Sequence, residues 1–263
     1  MTTDPLSADR ILAGLKTGLV ARNVIYLPET GSTMDEARRL AERGAPDGTL
    51  VVADYQTAGR GRLDRRWQAP PAGSLLLSFI FRPAIASHHV QQLTMLCGLA
   101  VAEGVEAETG LPVGLKWPND LEIGGAKVGG ILTEVELSGA RVGYAVVGVG
   151  LNVNLDPQQL TGPVLARATS LSAELGRPVA RLLLLWAVLR AVDTRYVALG
   201  AGAPGLHAEW ARRLVTLGRA VTVSTGDSIW EGLTEGVDAD GALLVRRADG
   251  GLERIIAGDV TVR

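Results

Sequence analysis

Apolar and polar positions recur with two different periods along this chain, and the change falls near Leu217. Before it, helical and strand-like segments are interleaved; after it, only short strand-like runs remain. Residues 7–21 read as a short amphipathic helix with Ile11, Leu12, Leu15 and Leu19 on one face. Asn23 to Leu27 reads as a strand. Ser32-Thr33-Met34-Asp35-Glu36 opens a second helix, because Thr33 and Glu36 have capping-box spacing and Gly44 is placed to end it. Thr49 to Asp54 and Ser74 to Arg82 are strands on either side of a glycine- and arginine-rich segment, Thr57 to Trp67. His88 to Thr109 reads as a long helix. Val113 to Trp117 then leads into Pro118-Asn119-Asp120, which is turn chemistry. Lys127 to Leu137 and Arg141 to Asn154 are β-rich runs joined by a hairpin at Ser138-Gly139-Ala140. Leu175 to Leu199 and Gly205 to Leu217 are helical.

The tail supplies strands at Arg219 to Ser224, Ile229 to Val237, Ala242 to Arg247 and Leu252 to Ile256. Asp240-Gly241 and Asp249-Gly250 are tight-turn signals between them. The expectation is a larger unit at 1–217 and a compact five-stranded barrel at 218–263, held close by a short connection.

Composition narrows the function classes. Acidic residues number 28 and basic ones 26, so the net charge is −2 and gives no broad footprint for nucleic acid or an anionic membrane. One cysteine, Cys97, rules out an internal disulfide and a multi-thiolate metal site. No apolar run reaches the about 18–20 residues of a membrane span. Met1 to Arg10 lack the layout of a secretion signal, so a cytoplasmic protein is expected. Glycine is abundant, at 33 residues dispersed among apolar segments.

Four segments carry candidate chemistry. Gly59-Arg60-Gly61-Arg62-Leu63-Asp64-Arg65-Arg66-Trp67 packs four arginines into seven positions. Guanidinium forks match phosphate or carboxylate oxygens. Such a loop is expected to be mobile when empty and ordered by an anion; a solvated basic loop is the plain alternative. Lys116-Trp117-Pro118-Asn119-Asp120 offers a carboxamide and a carboxylate suited to phosphate-bound Mg²⁺, or simply a turn. Lys127-Val128-Gly129-Gly130 places a cation at the start of an apolar strand, either facing a cleft or on the surface. Gly148-Val149-Gly150-Leu151-Asn152-Val153-Asn154 suggests the dinucleotide fingerprint but has Val153 at the third glycine position. No P-loop occurs.

In this order the segments closely resemble those of the biotin protein ligases. The resemblance runs from Glu29-Thr30-Gly31-Ser32-Thr33 through all four segments into Gly241-Ala242-Leu243-Leu244-Val245. It implies an α+β fold: a catalytic domain like that of class II aminoacyl-tRNA synthetases, of the biotin/lipoate ligase type, then a small Src-homology-3-like β-barrel. It further implies ATP and biotin as substrates with Mg²⁺, and a biotin carboxyl carrier protein domain as partner. The catalytic residues would be Lys127, Arg60 and Arg62. Biotin would meet Ser32, Thr33, Met34, Gln56, Gly59, Arg60, Gly61, Arg62, Trp67, Lys127 and Gly130. ATP would meet Arg62, Arg65, Trp67, Lys116, Asn119, Asp120, Lys127 and Asn152, with Asp120 indirectly at the metal. One of Ser32 and Thr33 is expected to cap the helix while the other faces the pocket. Asp64 departs from the family, which more often has glycine there. The resemblance is to ligases without an N-terminal DNA-binding module, so no specific DNA binding is expected; a homodimer stays open. A lipoate or octanoate ligase, or a nucleic-acid-binding regulator, is the alternative.

Overall fold

The computed structural model describes residues 5–160, 167–225, 228–256 and 258–262. Its centre is a seven-stranded sheet: β1 (Val24–Leu27), β2 (Thr49–Ala53), β3 (Ser74–Phe81), β4 (Gly114–Lys116), β5 (Asp120–Ile123), β6 (Ala126–Ser138) and β7 (Arg141–Asn152). The order is β1-β2-β3-β7-β6-β5-β4, with β1 and β2 parallel and the other pairs antiparallel. Every residue of β3 is buried, which explains its unbroken apolar run: helices cover both of its faces.

On one face lies α2 (Thr33–Glu42), whose Met34, Ala37 and Ala41 pack on Val51, Ile80 and Val146. On the other lie α3 (Gln91–Thr109) and α5 (Arg181–Gly200), packed on Leu50, Val52, Phe79, Phe81 and Val147. Preceding α5 is the short α4 (Leu171–Leu175), and following it α6 (Leu206–Arg213). No helix among the described residues is long and apolar enough to cross a membrane.

Three helix expectations change. The first helix, α1, spans only Ala8–Ala13 instead of 7–21. Gly14 lies flat against the Trp186 ring, and the Asp193 carboxylate takes the N–H groups of Gly18, Leu19 and Val20 at 2.8–2.9 Å. Those long-range bonds hold the chain out of a helix. The continuous helix 175–199 is instead α4 and α5, separated where Gly176 turns left-handed at φ 66° and Pro178 follows. The cap of α2 also moves by one residue: Ser32, not Thr33, accepts the Met34 N–H at 3.3 Å. The hairpin at Gly139 forms as read, with φ 62°.

The tail forms a five-stranded antiparallel sheet: β8 (Ala220–Thr225), β9 (Ser228–Val237), β10 (Leu243–Arg247), β11 (Leu252–Ile255) and β12 (Asp259–Val262). Its order is β11-β10-β9-β8-β12. Its core is continuous with the main one, since Val221, Val223, Leu243, Val245 and Val260 belong to the same apolar cluster as α3 and α5. Trp117 fastens the two units: its indole N–H donates to the Gly241 carbonyl at 2.9 Å and its backbone N–H to the Thr216 hydroxyl at 3.2 Å.

Candidate functional site

A cavity of about 790 Å³ opens over the C-terminal half of β7, between the start of α2, the arginine-rich loop, β5, the start of β6 and strand β12. That volume suits a pocket for one or two small organic ligands. The structure brings together Ser32, Thr33, Met34, Gln56, Arg60, Gly61, Arg62, Arg65, Trp67, Lys116, Asn119, Asp120, Lys127, Gly130 and Asn152 on its wall. Gly59 does not line it. It stands behind the loop, where an added methyl would sit 2.7 Å from the Trp67 carbonyl oxygen.

One end of the cavity is neutral and buried. Thr33 sends its N–H and its hydroxyl to Gln56 Oε1, at 2.7 and 2.9 Å, and its own oxygen accepts from the buried Ser78 hydroxyl at 2.8 Å. Ser32 is spent as the helix cap. Gln56 therefore keeps its amide NH₂ as a donor on the cavity wall. Two glycines make room here: a methyl at Gly148 would lie 2.7 Å from Met34 Sδ, and one at Gly150 would lie 2.6 Å from the Trp67 ring.

The other end is charged, and its cations are already occupied. Lys127 Nζ sits 2.6 Å from Asp120 Oδ1 and 5.9 Å from the centre of the Trp67 ring. Lys116 pairs with Glu122 at 3.0 Å. Arg65 reaches across to Asp259 of β12. Arg60 places its terminal nitrogens on Glu134 and Asp35. Arg62 instead donates to neutral oxygens, Asn119 Oδ1 and the Gly258 carbonyl, both at 3.2 Å. Burial lowers its guanidinium pKa, a shift that the nearby Asp259 and Asp120 partly oppose. Arg62 thus lacks the carboxylate partner its neighbours have, and an entering anion would relieve it.

Asn119 clamps the fold as well as lining the site. Its Nδ2 donates to the Ile131 carbonyl at 2.6 Å, so neither end of its amide is idle. Asn152 is 4% exposed; its Nδ2 binds the Thr169 carbonyl at 3.0 Å, while Oδ1 has no partner among the described residues. No cluster of three metal-ligating side chains occurs among the described residues, and the carboxylates on the cavity wall, Asp120, Glu122 and Asp259, are each paired with a cation, Asp120 with Lys127. That donor set suits a hydrated ion arriving on a phosphate better than a resident one.

Sequence reasoning missed the contribution of β12, where Asp259, Val260 and Thr261 line the cavity. Nothing in their local pattern marks them. Gly148 and Gly150 stand in the fourth singled-out segment, yet neither glycine was assigned to the site, whose wall both form.

Residues 26–152 match the biotin/lipoate A/B protein ligase family, and residues 216–263 match the biotin protein ligase C-terminal domain. The bifunctional ligase/repressor BirA of Bacillus subtilis is 35% identical over 97% of this chain and 78% of its own length. A biotin–acetyl-CoA-carboxylase ligase of Mycobacterium tuberculosis is 34% identical, over 91% of this chain and 88% of its own. A solved structure of the biotin protein ligase from Aquifex aeolicus in complex with biotin and ATP superposes with a TM-score of 0.76. It is 31% identical and covers 92% of this chain and 99% of that one.

Proposed function

The chain belongs to the biotin protein ligase family, and from that premise we propose how its cavity works as an ATP-dependent biotin–acetyl-CoA-carboxylase ligase. A carboxylate oxygen of biotin attacks the α-phosphorus of ATP, the bond to pyrophosphate breaks, and biotinyl-5′-AMP remains. The ε-amine of a carrier lysine then attacks the anhydride carbonyl, an amide forms and AMP leaves. Both reactants of the first step are anions, so fixed positive charge is the chief requirement.

Lys127 is assigned to the carboxylate and the α-phosphate oxygen between them, which means exchanging its bond to Asp120 for substrate. Arg62 and Arg65 take phosphate oxygens. Lys116, Asn119, Asp120 and Asn152 border the nucleotide. Where Mg²⁺ accompanies ATP, it would neutralise phosphate charge, and Asp120 would be the carboxylate to hold it through water. The neutral end takes the biotin head: Gln56 and Thr33 face the ureido group, and Met34 and Gly150 flank the apolar body. Trp67 lies across Gly150 and closes that end against water, which an acyl phosphate anhydride needs. No enzyme nucleophile is required.

We take the catalytic unit as 1–217 and the barrel as 218–263, with β12 completing the nucleotide side. The partner is a biotin carboxyl carrier protein domain, in the cytoplasm where carboxylases act. The observation that carries this reading is the joining, in one cavity, of a neutral slot at Thr33–Gln56 and a cationic edge at Lys127–Arg62. Incubation with MgATP, biotin and a carrier domain tests it by mass spectrometry. The carrier should gain one biotinyl group on its lysine, and a carrier with that lysine changed to arginine should gain none. Equal labelling by octanoate would favour the lipoate-ligase alternative.

A further inference from the structure

Arg60 stands first in the arginine-rich loop. Arg65 also sets both terminal nitrogens on one carboxylate, Asp259, but from a largely exposed side chain, whereas the Arg60 fork is less exposed and shared between two carboxylates. Its Nη1 lies 2.8 Å from Glu134 Oε1, and its Nη2 lies 3.1 Å from both Glu134 Oε2 and Asp35 Oδ1. Arg38 binds the same Glu134 carboxylate and lies 3.8 Å from Asp35. Burial would raise the Glu134 pKa, but the hydrogen bonds from Arg38 and Arg60 outweigh it and hold the carboxyl below its usual range.

Both terminal nitrogens of Arg60 are thus consumed, and only its buried Nε lacks a partner. A guanidinium held by its fork in this way has no fork left for a phosphate. The two elements that hold it are rigid. Glu134 lies on β6, paired with Val146 of β7, and Asp35 and Arg38 lie on α2, whose Met34, Ala37 and Ala41 are buried against the sheet.

The main chain on either side of Arg60 carries the rest of the loop. The Gly59 carbonyl accepts the Trp67 N–H at 3.0 Å, and the Gly61 N–H donates to the Arg65 carbonyl at 2.7 Å. Arg60 also forms an antiparallel bridge with Arg66. Fixing Arg60 therefore fixes the frame from which Arg62, Arg65 and Trp67 reach the cavity.

We propose that Glu134, assisted by Asp35, is a positioning residue that seats the arginine-rich loop by gripping Arg60. In this arrangement Arg60 is the anchor of the loop, and Arg62 and Arg65 meet the phosphates. The kinetic half of this proposal rests on the ligase reading; the mobility half does not.

The test uses the full chain as wild type, Glu134→Gln, Asp35→Asn, Arg60→Met and the double variant Glu134→Gln/Arg60→Met. Losing one charge-assisted contact should raise the KM for ATP in biotin-dependent pyrophosphate release about tenfold, with kcat within roughly twofold. Asp35→Asn, at the more exposed carboxylate, should shift the same way by less. Trypsin should cleave the ligand-free loop of Glu134→Gln several-fold faster than that of wild type. The double variant should be no worse than Arg60→Met, because Glu134 acts through Arg60. Wild-type KM and wild-type cleavage in Glu134→Gln, or additive losses in the double variant, would overturn the proposal. A wild-type chain that releases no pyrophosphate with biotin would sink the ligase reading instead, and the cleavage rates would still judge the grip.

Discussion

The two ends of the cavity are built in opposite ways. At the neutral end, Thr33, Gln56 and Ser78 are linked by short neutral hydrogen bonds inside the fold. At the charged end, Lys127, Lys116, Arg60 and Arg65 each hold a carboxylate, and most of these side chains are partly exposed. A neutral buried network is expensive to rearrange, because an unsatisfied buried group costs roughly 1–3 kcal/mol. It therefore presents a fixed shape to an uncharged head group. A half-exposed ion pair is worth about 0–1 kcal/mol, so it is easily exchanged. A polyphosphate can displace the carboxylates held by Lys127 and Arg65 at little cost, whereas Arg60 keeps Glu134, and the empty site avoids a concentration of unpaired positive charge. Shape selection and charge handling are thus separated in space within one pocket.

The largest expected effect attacks the charged end. Lys127→Met should lower the rate of adenylate formation on the order of 100-fold or more, since it removes charge stabilisation in the transition state. Biotin affinity should fall far less, and equal losses in both, measured by pyrophosphate release and by calorimetry, would erase the distinction between the ends. Next comes the neutral end. Thr33→Val removes the hydroxyl linking Gln56 to Ser78, and biotin binding should weaken by about 1–3 kcal/mol, roughly five- to 150-fold in Kd. Single-turnover chemistry at saturating biotin should stay close to wild type, and a large fall in that rate would mean that the slot also serves the reaction step.

Asp259→Ala sharpens the comparison at the barrel. It frees Arg65 from an exposed pair, so loop cleavage by trypsin should rise by only a few-fold and the KM for ATP should change by less than about fivefold. A point substitution is preferable to removing 219–263, because the barrel shares its core with α3 and truncation would uncover Trp117, whose indole holds Gly241. The smallest effect is expected from Asp64→Gly. Leu63 and Asp64 both turn left-handed at the loop tip, with φ 53° and 57°. Aspartate tolerates that region better than most residues, so glycine should change thermal stability and ATP kinetics by little.

How much of this was legible in the sequence follows the same division. The neutral slot announced itself locally: Ser32 and Thr33 adjoin at a helix start, and one hydroxyl does cap while the other turns inward. The cationic motifs were equally visible as Gly59 to Trp67 and Lys116 to Asp120. What the arginines bind in the empty protein was not, because their partners lie far along the chain, although Lys116 and Lys127 pair with nearby Glu122 and Asp120. Arg60 meets Glu134, Arg65 meets Asp259, and Gly18 to Val20 meet Asp193. Periodicity reports which face of an element is apolar, not which distant carboxylate will fold against it. Strand β12 was overlooked for that reason, since Asp259 and Val260 acquire meaning only beside β8 and the arginine-rich loop. The merged helix at 175–199 had a different cause: the apolar spacing continues through Gly176 and Pro178, and the two breakers carry the boundary that the pattern hides.

The central claim, that one cavity joins a biotin slot to a phosphate-exchanging edge, is tested most directly by pyrophosphate release in a single turnover. Enzyme in excess over biotin, mixed with MgATP and no carrier, should release one pyrophosphate per biotin and retain the adenylate until a carrier lysine is added. Pyrophosphate release that is independent of biotin, or adenylate that appears equally with octanoate, would contradict the account.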